Sequence, residues 1–147
     1  MAETLNVLET RRSCRAYKPQ LIEEEKLEKI IKAGTYAATG MGRQSPIIIA
    51  VTNKELRDKL SAMNARIMGK SEDFDPFYGA QELLIVLADK SAPTYIYDGT
   101  LVMGNLMNAA ADLGVDSCWI HRAKEEFESP EGKELLKEWG LPENLVG

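Results

Sequence analysis

Hydrophobic residues recur at helical spacing in five stretches and as short unbroken runs in three others, which predicts a chain that mixes helices with buried strands. Leu5, Val7 and Leu8 after Thr4 predict a short first helix ending near Arg11, where a cation suits the negative end of the helix dipole. Ser13 to Tyr17 reads as an extended stretch closed by Pro19. From Glu23 the positions Leu27, Ile30 and Ile31 have helical spacing, three glutamates occupy the first turn, and Gly34 is expected to end the helix. Glycines and a proline mark Ala37 to Pro46 as a loop. Ile47 to Val51 is a continuous, β-branched run that suits a strand buried on both faces, and Leu83 to Leu87 is a second. Between them lie an amphipathic helix from Lys54 to Asn64, with Leu56 and Leu60 at i, i+4, and a looser stretch from Gly69 to Gly79. Tyr97 to Leu113 is apolar almost all round, which fits a core or an interface, and Gly104 and Asn108 would let another backbone come close. Gly114 stops that helix, Ser117 to Ile120 reads as a third strand, and Pro130 opens a last helix through Glu138, ended by Gly140.

The pattern shows no repeat or linker, so residues 1–147 are expected to form one α/β domain, long enough to bury roughly 68–70% of its unfolded surface. Two cysteines, Cys14 and Cys118, are too few for a disulfide framework. No stretch reaches the roughly 20 apolar residues of a membrane helix, and Met1-Ala2-Glu3-Thr4 lacks the basic start of a signal peptide, so a cytoplasmic setting is expected. The net charge of −5 argues against a general nucleic-acid surface. Against that acidic background Arg11, Arg12, Arg15 and Lys18 stand together with no acid among them, directly before Glu23-Glu24-Glu25. Such a segment either is a solvated face or opposes something anionic.

The second alternative has a physical case. Arginine presents a planar fork of donors that matches phosphate oxygens and keeps its charge at any ordinary pH. Ser13 adds a short neutral donor, and on an extended stretch it points to the same side as Arg15. Other chemistries find less support. Gly40-Met41-Gly42 fails as a dinucleotide fingerprint, because Ser45 holds the third glycine position and the loop follows a helix. No phosphate-binding G-x-x-x-x-G-K-[ST] loop is present. Cys118 and His121 could supply two metal ligands but not the four of a structural zinc site, and three residues apart on an extended stretch they face opposite ways. The sequence nominates no metal ligand and no catalytic residue.

Taken in order, four segments carry a resemblance. Arg11-Arg12-Ser13-Cys14-Arg15-Ala16-Tyr17, Ala37-Ala38-Thr39-Gly40-Met41-Gly42-Arg43-Gln44-Ser45-Pro46, Asp98 to Ala110, and Ser117-Cys118-Trp119-Ile120-His121-Arg122-Ala123 resemble successive landmarks of the nitroreductase family. The resemblance implies an α+β fold, a mixed central sheet flanked by helices, in an intertwined homodimer with two FMN molecules at its interface. It implies NADH or NADPH as hydride donor and a small-molecule electron acceptor such as a nitro compound or quinone, with no nucleic acid or membrane partner. Residue by residue, Arg11, Ser13 and Arg15 would hold the FMN phosphate and ribityl chain, with Arg12 beside the pyrimidine edge. Thr39, Met41 and Gln44 would approach the ring, some of them from the partner subunit. Cys118, Trp119, Ile120 and His121 would lie along its other side, partly through backbone atoms.

The sequence departs from the family in two places. Ser45-Pro46-Ile47 stands where a Pro-Trp pair is common after the glutamine, and the chain stops at Gly147, before the family's usual C-terminal strand and its basic residue. Two rival readings remain at this level: a flavin-binding or dimerisation module without turnover, and a relative that reduces another substrate beneath a lid, for which Met68 to Gly79 is the candidate.

Overall fold

The computed structural model describes residues 3–147, so the part of the leader reading that rests on Met1 and Ala2 lies outside the described residues. In chain order the elements are α1 (Thr4–Thr10), α2 (Glu24–Thr35), β1 (Ile47–Val51), α3 (Lys54–Ile67), β2 (Leu83–Asp89), α4 (Tyr95–Asp112), α5 (Ala123–Glu128), α6 (Pro130–Glu138) and β3 (Leu145–Val146). β2 is central: it pairs antiparallel with β1, Ile47 opposite Leu87 through Val51 opposite Leu83, and with β3 at Ala88–Val146 and Asp89–Leu145.

Strand alternation sends the two faces of this sheet into separate cores. Ile85 and Leu87 join Leu60, Met63, Phe127, Leu135 and Leu136 beneath α3, α5 and α6. Val86 and its neighbour Leu84 join Ile30, Val102, Leu106 and Ala110 beneath α2 and α4. The arrangement is helix, sheet, helix, an α+β architecture.

Several expectations shift. β1 does feed both cores, but as an edge strand it leaves Ile47, Ile48 and Ile49 half-buried and Ala50 exposed. Gly34 does not end α2, which runs one residue further; it lies inside the helix because a Cβ there would sit 2.5 Å from Leu106 Cδ2 and 2.8 Å from Ile48 Cδ1. The predicted third strand is absent from the sheet: Ser117 makes one parallel bridge to Ser13, and residues 118–120 are irregular. α5 and β3 escape sequence reading because they are six and two residues long.

The stretch after α3 is tied down. Asp75 accepts from Arg57 Nη2 at 2.5 Å, Ser61 Oγ at 3.0 Å, and the backbone N–H groups of Phe77 and Gly79 at 3.1 and 2.8 Å. Although burial pushes the other way, these donors hold the Asp75 carboxyl below the usual carboxylate range. That anchoring argues against a lid at Met68 to Gly79.

The all-round apolar helix is only partly covered. Ile96, Tyr97 and Leu101 of α4 are exposed, as are Leu5 and Leu8 of α1, and a Cβ at Gly104 would meet nothing within 4 Å.

Candidate functional site

The single parallel bridge is what builds the site. Ser13 pairs with Ser117, and the Cys14 N–H donates to the Ser117 carbonyl at 3.0 Å, which lays the arginine segment beside Ser117 to His121. Ser13 and Arg15 are exposed on either side of half-buried Cys14, but the alternation does not continue: Ala16 is exposed and Tyr17 is half-buried. The Tyr17 hydroxyl donates to the Cys14 carbonyl at 2.7 Å. Burial, and then the nearby Cys118, Cys14 and Asp116, push its phenol upward, so it stays neutral.

The three arginines differ. Arg12 turns back on α1, where Nη1 donates to the carbonyls of Glu9 and Arg11 at 2.8 Å each and caps the helix end. Arg15 is exposed. Arg11 is half-buried, its Nη1 is buried without a hydrogen-bond partner, and it lines a cleft of about 290 Å³ with Asp116, Ser117 and the end of α4. Among the described residues none of the three forms an ion pair. A buried guanidinium N–H without an acceptor is costly; Arg11 shares its cleft with Arg12 and Asp116, whereas Ser13 and Arg15 line neither this cleft nor the trench described next.

Beyond Ser117, Cys118 and Ile120 are half-buried, whereas Trp119 and His121 are exposed with their rings stacked, centroids 6.1 Å apart and planes at 18°. All four line a trench of about 750 Å³ that runs past Tyr17, the start of β2 and one face of α4. Cys118 Sγ donates to the Trp119 carbonyl and not to His121, so no nucleophile–base pair forms there. Three residues that sequence reading missed support this wall: Asn64, Arg122 and Glu126. Only the positive φ of Arg122, 82°, is a local peculiarity, and it has no signature in the sequence.

The second predicted segment lies elsewhere. Thr39, Met41 and Gln44 belong to a tight loop in which Met41 and Gln44 take positive φ, 57° and 49°. Thr39 Oγ1 donates to Gln44 Oε1 at 2.6 Å and accepts from the Gln44 N–H at 2.9 Å, while Gln44 Nε2 donates to the carbonyls of Thr35 and Ala37. Met41 projects freely, 90% exposed. The loop is seated on the first turn of α4, where the Gly40 N–H donates to Asp98 Oδ1 at 2.9 Å and Thr94 Oγ1 to Asp98 Oδ2 at 2.8 Å. Gly40 is required there, because a Cβ would lie 2.1 Å from Thr94 Oγ1. Ser117 follows the far end of α4, an 18-residue helix about 27 Å long. One protomer therefore brings together the first and last segments and holds the middle one a helix length away.

Among the described residues no group of three His, Cys, Asp or Glu side chains could hold a metal ion, and no helix is long and apolar enough to cross a membrane. The Nitroreductase family matches residues 8–147. A protein of Archaeoglobus fulgidus named "Putative NADH dehydrogenase/NAD(P)H nitroreductase" is 32% identical, the match covering 99% of this chain and 81% of that one. A nitroreductase crystal structure with bound FMN from Bacteroides fragilis superposes with a TM-score of 0.86 at 31% identity, covering 99% of this chain and 84% of that one. A second with bound FMN, from Desulfitobacterium hafniense, gives 0.85 at 29% identity, covering 99% and 85%. With its arginine segment, aromatic wall, seated loop and helix–sheet–helix layers all in the order that this match spans, the chain belongs to the nitroreductase family.

Proposed function

We propose that this protein is an FMN-dependent NAD(P)H oxidoreductase that reduces nitro compounds, quinones and similar electron-poor acceptors. The observation that carries the reading is the buried, unpartnered Nη1 of Arg11 on a segment held in register beside Ser117. When bound, FMN would supply the ring that takes a hydride from NADH or NADPH and gives it to the acceptor.

The chain's own residues bind, orient and polarise. Arg11, Ser13 and Arg15 hold the phosphate and the ribityl chain by charge-assisted and neutral hydrogen bonds. Exposed Arg15 would supply the cation at the pyrimidine edge, since the Arg12 guanidinium is committed to the end of α1. Cys118, Trp119, Ile120 and His121 form one wall, partly through their backbone. No side chain here is arranged as an acid–base pair, and the chemistry asks for none. NAD(P)H and the acceptor would use the same slot in turn, a ping-pong order that goes with loose acceptor specificity.

Thr39, Met41 and Gln44 reach the ring from the partner of a homodimer. The length of α4 supports this, since the loop and the wall stand at opposite ends of it. The exposed apolar residues of α1 and α4 are the surface on which two copies would meet. Two free cysteines accord with a cytoplasmic setting.

The test is direct. Purified protein should be yellow, should bleach on adding NADH or NADPH under argon, and should regain colour on adding a quinone or nitro compound. Yellow protein that neither donor bleaches would refute turnover, and colourless protein that takes up no added FMN would refute the cofactor.

A further inference from the structure

Behind Trp119 and His121 lies a buried polar cluster that the reading above leaves unused. Asn64, 1% exposed on α3, donates through Nδ2 to the His121 carbonyl at 3.1 Å and to Glu126 Oε2 at 3.2 Å. Its Oδ1 accepts from Arg122 Nε at 2.8 Å. Glu126, on α5, is 4% exposed, and its Oε1 is buried without a partner. Asn64, His121, Arg122 and Glu126 all line the same trench as the aromatic wall.

An amide has two N–H donors and one carbonyl, and Asn64 uses both ends on groups nearly 60 residues away in sequence. What they hold is the end of a segment with little else to fix it. Residues 118–120 pair with no strand, and among the described residues none of 118–121 makes a backbone hydrogen bond to another backbone group. One end of the segment is fastened by the Ser13–Ser117 bridge and the other by the Asn64 grip on His121. Glu126 decides which way the Asn64 amide faces. Its oxygen accepts from Nδ2, so the donor side of the amide meets the His121 carbonyl and the acceptor side is left for Arg122.

We propose that Asn64 and Glu126 are positioning residues of the site: through the His121 carbonyl and the left-handed turn at Arg122 they set the place and direction in which Trp119 and His121 face the trench. The consequence for the cofactor rests on the reading of 118–121 as a flavin wall. Ordinary packing would not demand Asn64, whereas a wall held only at its two ends does.

Acrylamide quenching of Trp119 fluorescence in a Trp139→Phe background, with FMN affinity measured by fluorescence titration, tests this. Asn64→Ala should raise the quenching constant of Trp119 about twofold while the cooperative urea transition persists, and should raise the FMN Kd about tenfold. Glu126→Ala should do the same, and Glu126→Gln, which keeps an acceptor oxygen toward Asn64, should restore both readings to near their wild-type values. Should Asn64→Ala fail to fold, the Glu126→Ala and Glu126→Gln pair decides the question alone. Quenching of Trp119 that stays unchanged, or that rises only together with loss of the cooperative urea transition, overturns the positioning role. A rise in quenching with unaltered FMN affinity leaves that role standing and overturns the reading of 118–121 as the flavin wall.

Discussion

The two halves of the proposed flavin site are built in opposite ways. The arginine segment and the aromatic wall take their shape from each other, through a bridge between Ser13 and Ser117 about a hundred positions apart, and from Asn64 beneath. The loop of Thr39, Met41 and Gln44 is closed on itself, the Thr39 hydroxyl donating to the Gln44 side chain and the Gln44 amide to the carbonyls of Thr35 and Ala37 at the end of α2. The first half is a product of long-range packing and leaves an arginine donor unpartnered; the second is a preformed local turn that presents Met41 outward. Because α4 separates them, the composite site proposed above takes the packed half from one copy and the self-contained loop from another.

The sharpest way to break that contrast is to strip the packed half of its charge. Arg11→Ala with Arg15→Ala should weaken FMN binding at least about a hundredfold, since hydrogen bonds to charged groups contribute roughly 1.5–3 kcal/mol each. The unfolding temperature of the flavin-free protein should move little, because Arg15 is exposed and neither side chain forms an ion pair among the described residues. Undiminished flavin content in fluorescence titration would remove the phosphate assignment.

A smaller effect separates the halves by pH. Burial, opposed by Asn64 and Arg122 and assisted by Glu125, pushes the Glu126 carboxyl up to about 7. A carboxyl raised on folding contributes stability that is complete below the ordinary carboxylate range and is lost as pH rises through about 7. Urea unfolding should therefore show the protein less stable at pH 8 than at pH 5 by up to roughly 3 kcal/mol from this group. Glu126→Gln should flatten that contribution, whereas a substitution in the 39–44 loop should leave it intact. An unaltered pH profile in Glu126→Gln would refute the assignment.

A change of only a factor of two tests the composite site itself. In mixed dimers with Arg11→Ala and Arg15→Ala in one copy and a disrupted 39–44 loop in the other, one complete site survives if the halves come from different copies. One FMN per dimer is expected, against two in wild type, and none would show that each copy builds its site alone. Least affected should be His121→Ala. Its ring is exposed and stacks only on Trp119, so FMN affinity should shift by about twofold or less, within the range of surface substitutions.

Much of this was legible beforehand where local chemistry decides. The choice of Arg11, Ser13 and Arg15 as the proposed phosphate-binding residues rests on side-chain type and alternation, and the loop at 39–44 followed from its glycines. Long periodic helices were readable for the same reason, with α4 beginning two residues early and α3 extending three residues late. Gly34 was misread because a glycine that ends a helix and one that admits a neighbouring leucine are the same letter. Ser117 to Ile120 was misread as sheet because an apolar run next to a buried cavity has the composition of a strand. Asn64 and Glu126 gave no signal at all, since an asparagine and a glutamate on amphipathic helices ordinarily face water.

The sequence by itself determined which residues carry charge, which stretches coil or extend, and that an uncompensated arginine cluster sits near the start of the chain. Tertiary structure alone decided what that cluster stands beside, which arginine is buried, and which polar side chains brace the wall from behind. The physical reason is range. Propensity, capping and alternation act over a few residues, whereas the register of Ser13 on Ser117 and the grip of Asn64 on His121 exist only once the two cores have closed on the sheet.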